Sequence, residues 1–232
     1  MLFRQLFDPQ TSTYTYLIAD PRTREAILVD SVREHYLRDW QLIRELGLNL
    51  RYCLETHLHA DHVTATSKLR QLSGCQGIVP ENAQVSCADG FMADGDILKI
   101  GEIEIIAIAT LGHTDSHNSY LINKDRVLTG DSLLIRGCGR TDFQSGDAGT
   151  LYDHITQKLF TLPDQTLVYP GHDYKGFTVS TIGEEKRFNP RFTGQTRQSF
   201  IELMANLNLP SPQKIAEAVP ANQRCGQTAV SI

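Results

Sequence analysis

Seven consecutive residues, Thr56-His57-Leu58-His59-Ala60-Asp61-His62, carry four metal-ligand side chains and follow directly on the apolar run Tyr52-Cys53-Leu54. Imidazoles at i and i+2 with a carboxylate at i+4 lie on one face if the segment is extended. A tight loop leaving a strand would converge the same atoms on a small volume. Neutral imidazole and carboxylate suit zinc and iron alike, so the ligand types do not choose the metal. The bland alternative is a solvated polar loop. It is set aside because a globular chain rarely gathers so many costly-to-bury groups without a partner for them.

Further donors recur along the chain, each just past an apolar run. His113 follows residues 102–109, Asp131 follows 126–129 and His172 follows 166–169. A lone histidine, as at His35, His117 or His154, ordinarily reads as a surface or satisfied core residue. Joint placement past strand ends is what raises His57, His59, Asp61, His62, His113, Asp131 and His172 above that reading, because a common rim would gather them.

The elements that must place these residues are legible from periodicity. Residues 14–19 and 26–30 read as a hairpin around Asp20-Pro21-Arg22-Thr23. Tyr36, Trp40 and Ile43 fall at i, i+4 and i+7, which predicts a helix over 32–46 with Gly47 as its cap. A strand at 50–55 then delivers the histidine loop, and a helix at 64–72 follows it. Strands are expected at 78–80, 97–100, 102–109, 119–122, 126–129 and 166–169. Leu151, Ile155 and Leu159 give a helix over 150–160 one apolar face. Beyond residue 172 the chain is polar, with a helix at 198–207 and a Pro-punctuated tail. Strands come in runs before each helix, an order that two mixed sheets with helices outside them satisfy: an α/β, four-layer αββα sandwich. A single domain over residues 1–232 is expected, with the segment from about 176 packing on it.

A net charge of -5 without a basic stripe argues against nucleic acid as a partner. No apolar stretch approaches the ~20 residues of a membrane helix, so no membrane association is expected. Residues 1–8 read as neither a secretory signal nor an organelle presequence. The five cysteines, Cys53, Cys75, Cys87, Cys138 and Cys225, are odd in number and contain no C-x-x-C pair. They argue against a disulfide framework and fit buried thiols in a reducing cytoplasm.

The set T-H-L-H-A-D-H, G-H-T, G-D and G-H resembles the metallo-β-lactamase superfamily, whose fold is the αββα sandwich. Within it, the run Leu134-Ile135-Arg136-Gly137-Cys138-Gly139-Arg140-Thr141-Asp142-Phe143-Gln144 resembles the persulfide dioxygenases. So do Tyr169-Pro170-Gly171-His172-Asp173-Tyr174-Lys175-Gly176-Phe177, Asn189-Pro190-Arg191 and Val219-Pro220-Ala221-Asn222. The resemblance implies one Fe(II) per chain on His57, His113 and Asp131, with His59, Asp61, His62, Asp142 and His172 orienting those ligands through hydrogen bonds. It implies glutathione persulfide and O2 as substrates, and sulfite and glutathione as products.

Arg140 and Arg191 are candidates to hold the carboxylates of glutathione, and Tyr174 and His172 to act beside the reacting atoms. Arg140 has a second reading as an internal ion pair with Asp142, Tyr174 as a packed aromatic beside Phe177, and Cys138 as a buried structural thiol. The intact H-x-H-x-D-H set with His172 keeps an alternative open: a dinuclear zinc thioester hydrolase of the glyoxalase II kind, with a bridging hydroxide as nucleophile. Asp115-Ser116-His117-Asn118 and Ser132 depart from the family pattern and bear on substrate preference. A homodimer is admitted by the sequence and required by nothing in it.

Overall fold

The computed structural model describes residues 1–210 and 214–227. One sheet is built from β1 (Leu2–Asp8), β2 (Thr13–Ala19), β3 (Glu25–Val29), β4 (Asn49–Leu54), β5 (Gln76–Pro80) and β6 (Gly90–Met92), in that spatial order. The first three strands pair antiparallel and β3 to β6 pair parallel, so the sheet is mixed. Parallel neighbours require crossovers. α1 (Tyr36–Glu45) provides the one from β3 to β4, and α2 (Thr66–Ser73) the one from β4 to β5. α1 buries Ile43, flanked by Tyr36, Trp40 and Leu46, in a core with Leu17, Leu28 and Leu50 of the sheet. α2 adds Leu69 to that core and stops at Gly74, whose φ of +72° suits a residue without Cβ. The histidine loop is the connection from β4 to α2, at the carboxyl end of a parallel strand.

A second sheet contains β7 (Ile97–Ile100), β8 (Ile103–Ala109), β9 (Asn118–Ile122), β10 (Arg126–Gly130), β11 (Leu167–Pro170) and β12 (Ser180–Thr181). Its order is β12-β11-β10-β9-β8-β7, and it too is mixed, β10 and β11 being parallel. α3 (Ala148–His154) starts at Asp147, whose carboxylate accepts the Thr150 N–H at 2.6 Å, and runs on as a wider π turn over Ile155–Leu159. α4 (Ile182–Phe188) and α5 (Arg197–Ala205) follow. Leu151, Ile155 and Leu159 share a core with Val168, Phe192, Phe200 and Met204. The helices expected at 150–160 and 198–207 are therefore present.

The chain divides into two units: residues 1–92 with 98–104 and the described C-terminal residues, and residues 93–97 with 105–210. The C-terminal part enters both cores, α5 in the second unit and α6 (Ile215–Asn222) in the first, where Ala218 and Ala221 meet Val63.

Several elements differ from expectation. β1 precedes the hairpin, and β6, β12, α4 and α6 fill stretches read as loop. α4 is short and polar, so its pattern carries little apolar period, and α6 keeps Pro220 inside it instead of ending there. Cys87 and Cys225 form a disulfide, which overturns the expectation of free thiols at these two positions. They stand 138 residues apart, a pairing that spacing does not reveal. Among the described residues no helix is long and apolar enough to cross a membrane.

Candidate metal centre

Asp30 organises the donors of the first unit. It follows β3 with φ +53°, in the left-handed region where Asp is better tolerated than bulky residues. Its Oδ1 accepts the Thr56 main-chain N–H at 2.7 Å and His59 Nε2–H at 3.1 Å, and its Oδ2 accepts the Thr56 hydroxyl at 2.9 Å. Having donated to Asp30, that hydroxyl accepts from His57 Nδ1–H at 2.9 Å. The relay fixes the His57 tautomer and leaves the lone pair on Nε2, the atom suited to a metal.

His59 is oriented the other way round. Its Nε2 faces Asp30, and its Nδ1 is buried without a hydrogen-bond partner among the described residues. His62 gives Nδ1–H to Asp61 Oδ2 at 2.8 Å, and its Nε2 is likewise buried and unpartnered. His59, Asp61 and His62 offer ligand atoms that all lie within 4.8 Å of one another. Each unsatisfied buried polar atom costs about 1–3 kcal/mol. A cation accepted by both rings and the carboxylate removes that cost, so the donor set fits a metal ion. Burial opposes a charge on His59, yet Asp30 and Glu55 beside it outweigh burial and raise its pKa well above the usual histidine value.

In the second unit the strand ends of β8, β10 and β11 supply the donors. His113 gives Nδ1–H to the Arg140 carbonyl at 2.7 Å, and its Nε2 stands 3.6 Å from Asp131 Oδ2. Asp131 Oδ1 accepts His172 Nδ1–H at 2.6 Å. The Asp131 main-chain N–H reaches His117 Nε2 at 3.2 Å, and His117 Nδ1–H goes to the Thr110 hydroxyl at 2.9 Å. His117 is thus the satisfied core histidine expected, with an unforeseen task of holding Asp131. Space is as tight as the bonding. A Cβ on Gly139 would stand 2.7 Å from His113 Nδ1 and collide with the Asp131 carbonyl, and one on Gly171 would stand 2.7 Å from Asp131 Oδ1.

Arg140 realises its internal reading. Its Nε and Nη2 engage Asp142 at 2.7 and 2.8 Å, its Nη1 donates to the Pro210 carbonyl at 2.6 Å, and its guanidinium lies over Phe143. That pairing holds the Asp142 carboxyl below its ordinary pKa. Asp142 therefore bears on His113 through Arg140, whose carbonyl fixes the ring. Arg191 differs: among the described residues its guanidinium has no ion-pair or hydrogen-bond partner, and its main-chain N–H is held by Asn189 Oδ1 at 3.0 Å. Tyr174 is 73% exposed and stacks on His172, with ring centroids 6.0 Å apart. The Cys138 thiol sits 3.8 Å from the Met204 sulfur, and burial pushes its pKa up to about 12, which makes it an unreactive structural thiol.

Two supporting residues escaped the sequence reading. Asp30 ends its strand as an unremarked acid. Asn222 donates from Nδ2 to the His59 and His62 carbonyls, each at 2.9 Å, and accepts the Thr64 N–H on Oδ1 at 2.8 Å. Asn222 lay within a quoted motif, but its contacts are remote in sequence.

A family model of the metallo-β-lactamase superfamily matches residues 8–172. The persulfide dioxygenase ETHE1, mitochondrial, of Homo sapiens is 50% identical over 228 residues, covering 97% of this chain and 89% of that protein. The crystal structure of ETHE1 from Myxococcus xanthus matches with a TM-score of 0.96 at 54% identity, covering 98% of this chain and 100% of that one. A hydroxyacylglutathione hydrolase of Bradyrhizobium is more distant, 32% identical over 203 residues, 83% of this chain and 76% of that protein. The fold is the metallo-β-lactamase fold, an α/β class with two mixed sheets and flanking helices, as the sequence implied. Its His/Asp cluster makes it a metal-binding member of that class. The chain belongs to the metallo-β-lactamase superfamily and, within it, to the persulfide dioxygenase family.

Proposed function

We propose that this chain is a persulfide dioxygenase, which oxidises the terminal sulfur of glutathione persulfide with O2 and water to sulfite and glutathione. The observation that carries this reading is 50% identity with the human persulfide dioxygenase across nearly the whole chain. His57 Nε2, His113 Nε2 and Asp131 would hold one Fe(II), two imidazoles and a carboxylate that leave positions open for substrate. When bound, iron supplies redox chemistry that zinc lacks.

The chain's own residues do the positioning. The Asp30–Thr56 relay presents His57 Nε2, the Arg140 carbonyl presents His113 Nε2, and His172 holds Asp131 Oδ1 so that Oδ2 faces His113. Arg191, whose guanidinium has no hydrogen-bond or ion-pair partner among the described residues, binds a glutathione carboxylate. Arg140 keeps its ion pair with Asp142 and acts through its main-chain carbonyl, which holds the His113 ring. Tyr174, exposed on His172, offers its hydroxyl to the persulfide.

The orphaned nitrogens of His59 and His62 favour a second reading, a dinuclear zinc thioester hydrolase. Oxygen uptake with glutathione persulfide, on anaerobically purified protein of known metal content, separates the two. About one iron per chain, with O2 uptake matched by sulfite, supports the dioxygenase. Two zincs, no O2 uptake and hydrolysis of a glutathione thioester would overturn it.

A further inference from the structure

The histidine loop is gripped by residues far from it in sequence. Through its three hydrogen bonds the buried Asn222 amide spans residues 59 to 64. Close by, the Cys225 carbonyl accepts the Ser67 N–H at 3.0 Å, near the start of α2. Gly226 continues at φ +82°, where a Cβ would collide with the Thr64 carbonyl. Apolar packing of α6 on Val63 rests on two small residues, Ala218 and Ala221. Burial of methyl-sized groups holds a short helix weakly. The covalent tie is the disulfide between Cys225 and Cys87, the latter in the connection from β5 to β6.

We propose that Asn222 is a positioning residue for the metal loop and that the Cys87–Cys225 disulfide is its thiol-responsive latch. The site concerned is the one read above as holding metal through His57, and the inference rests on that reading. Cys87 is half-buried whereas Cys225 is 4% exposed, so an external thiolate attacks the Cys87 sulfur. The S–S bond breaks, Cys225 leaves as a thiolate and takes up a proton, and a mixed disulfide forms on Cys87. A second external thiol resolves it. Two low-molecular-weight thiols end as one disulfide, and Cys87 and Cys225 end reduced. Without the tie, α6 leaves the loop more often, Asn222 lets go of the His59 and His62 carbonyls, and the loop holds metal less firmly.

The test is the rate at which a chelator strips Co(II), substituted for the native metal, from the full chain. Protein is used as purified, or after anaerobic reduction with dithiothreitol and removal of the reductant. Thiol titration after unfolding in denaturant reports the state: Cys53, Cys75 and Cys138 when latched, all five cysteines when not. Reduction and Cys87→Ser should each speed metal loss about tenfold, the lower end of what loss of a ligand-orienting partner does. Asn222→Ala should do the same, and reduction should add nothing to it, because both act through one contact.

The proposal is overturned if air-purified protein already titrates five thiols, or if reduced wild type loses metal at the latched rate. It is equally overturned if reduction accelerates loss further in Asn222→Ala. Should that variant fail to fold, wild type with and without reduction and Cys87→Ser decide the matter. The Co(II) absorption band, which follows ligand geometry, should weaken in the same samples. None of these readouts needs turnover. Absence of O2 uptake would therefore sink the functional reading and leave the latch standing.

Discussion

Replacing Thr56 by Val keeps the shape of a fully buried side chain and deletes one hydroxyl. Two hydrogen bonds of 2.9 Å go with it, one given to Asp30 and one received from His57 Nδ1. Asp30 retains the Thr56 main-chain N–H and His59, so its carboxylate stays in place. The His57 Nδ1–H loses its acceptor, at a cost of about 1–3 kcal/mol, and the added methyl recovers roughly 0.8 kcal/mol. A net loss of about 1.5 kcal/mol should lower the melting temperature of the metal-free protein by roughly 3–6 °C. The larger effect should be on metal. With its tautomer and ring angle released, His57 binds less well, and Fe(II) affinity measured anaerobically against a competing chelator should fall by about 10–100-fold. Thr56→Ser, which keeps the hydroxyl, should stay within roughly threefold of wild type by the same reasoning. Unchanged Fe(II) affinity in Thr56→Val, alongside the expected drop in melting temperature, would refute the claim that the relay orients His57.

Gly139→Ala should fold yet retain about tenfold less metal by direct metal analysis, because its Cβ pushes on His113 and on the Asp131 main chain; full metal content would show that the loop has room. Arg191→Ala should raise the KM for glutathione persulfide about tenfold or more with kcat little changed, as expected for a lost charge-assisted contact. Arg140→Ala should instead reduce metal content as the carbonyl facing His113 shifts, and steady-state kinetics with metal analysis would expose a reversed assignment. At Asp8, burial works to raise the carboxyl pKa, but hydrogen bonds from Thr11, His35 and Gln10 outweigh it and lower the pKa from 3.8 to about 2. Asp8 therefore contributes stability above pH 3.8 that disappears as pH falls through about 2. In denaturant titrations the stability gap between wild type and Asp8→Asn should be full at pH 5 and shrink across that window; a constant gap would show that the carboxylate charge is not what matters.

What was legible in the sequence was local. The histidine loop announces itself by ligand density, and His113, Asp131 and His172 by standing just past apolar runs that fold as β8, β10 and β11. Arg140 and Asp142, two residues apart, suggested their own ion pair. The supporting layer was not legible, because it is built from long-range contacts between ordinary residues. Asp30 reads like any acid ending a strand, and nothing near it in sequence foretells three hydrogen bonds to residues 56 and 59. Glu185 is fully buried in α4, where it takes Arg136, Ser180 and Asn189 as partners and ties that helix to the loop at 134–137, yet its sequence neighbourhood looks like a solvated surface. Five cysteines offer no clue that Cys87 selects Cys225.

The reach of Asn222 across 163 and 160 residues to the carbonyls of His59 and His62 also orders the protein's maturation. The second unit is almost continuous in sequence, whereas the first needs residues 214–227 to close. On a ribosome adding about 5–20 residues per second, the histidines emerge several seconds or more before the side chain that pins them. The earliest part of the metal centre to be synthesised thus waits for residue 222 before it is pinned. A metal ion arriving in that interval meets an unclamped loop, so stable loading follows the emergence of Asn222.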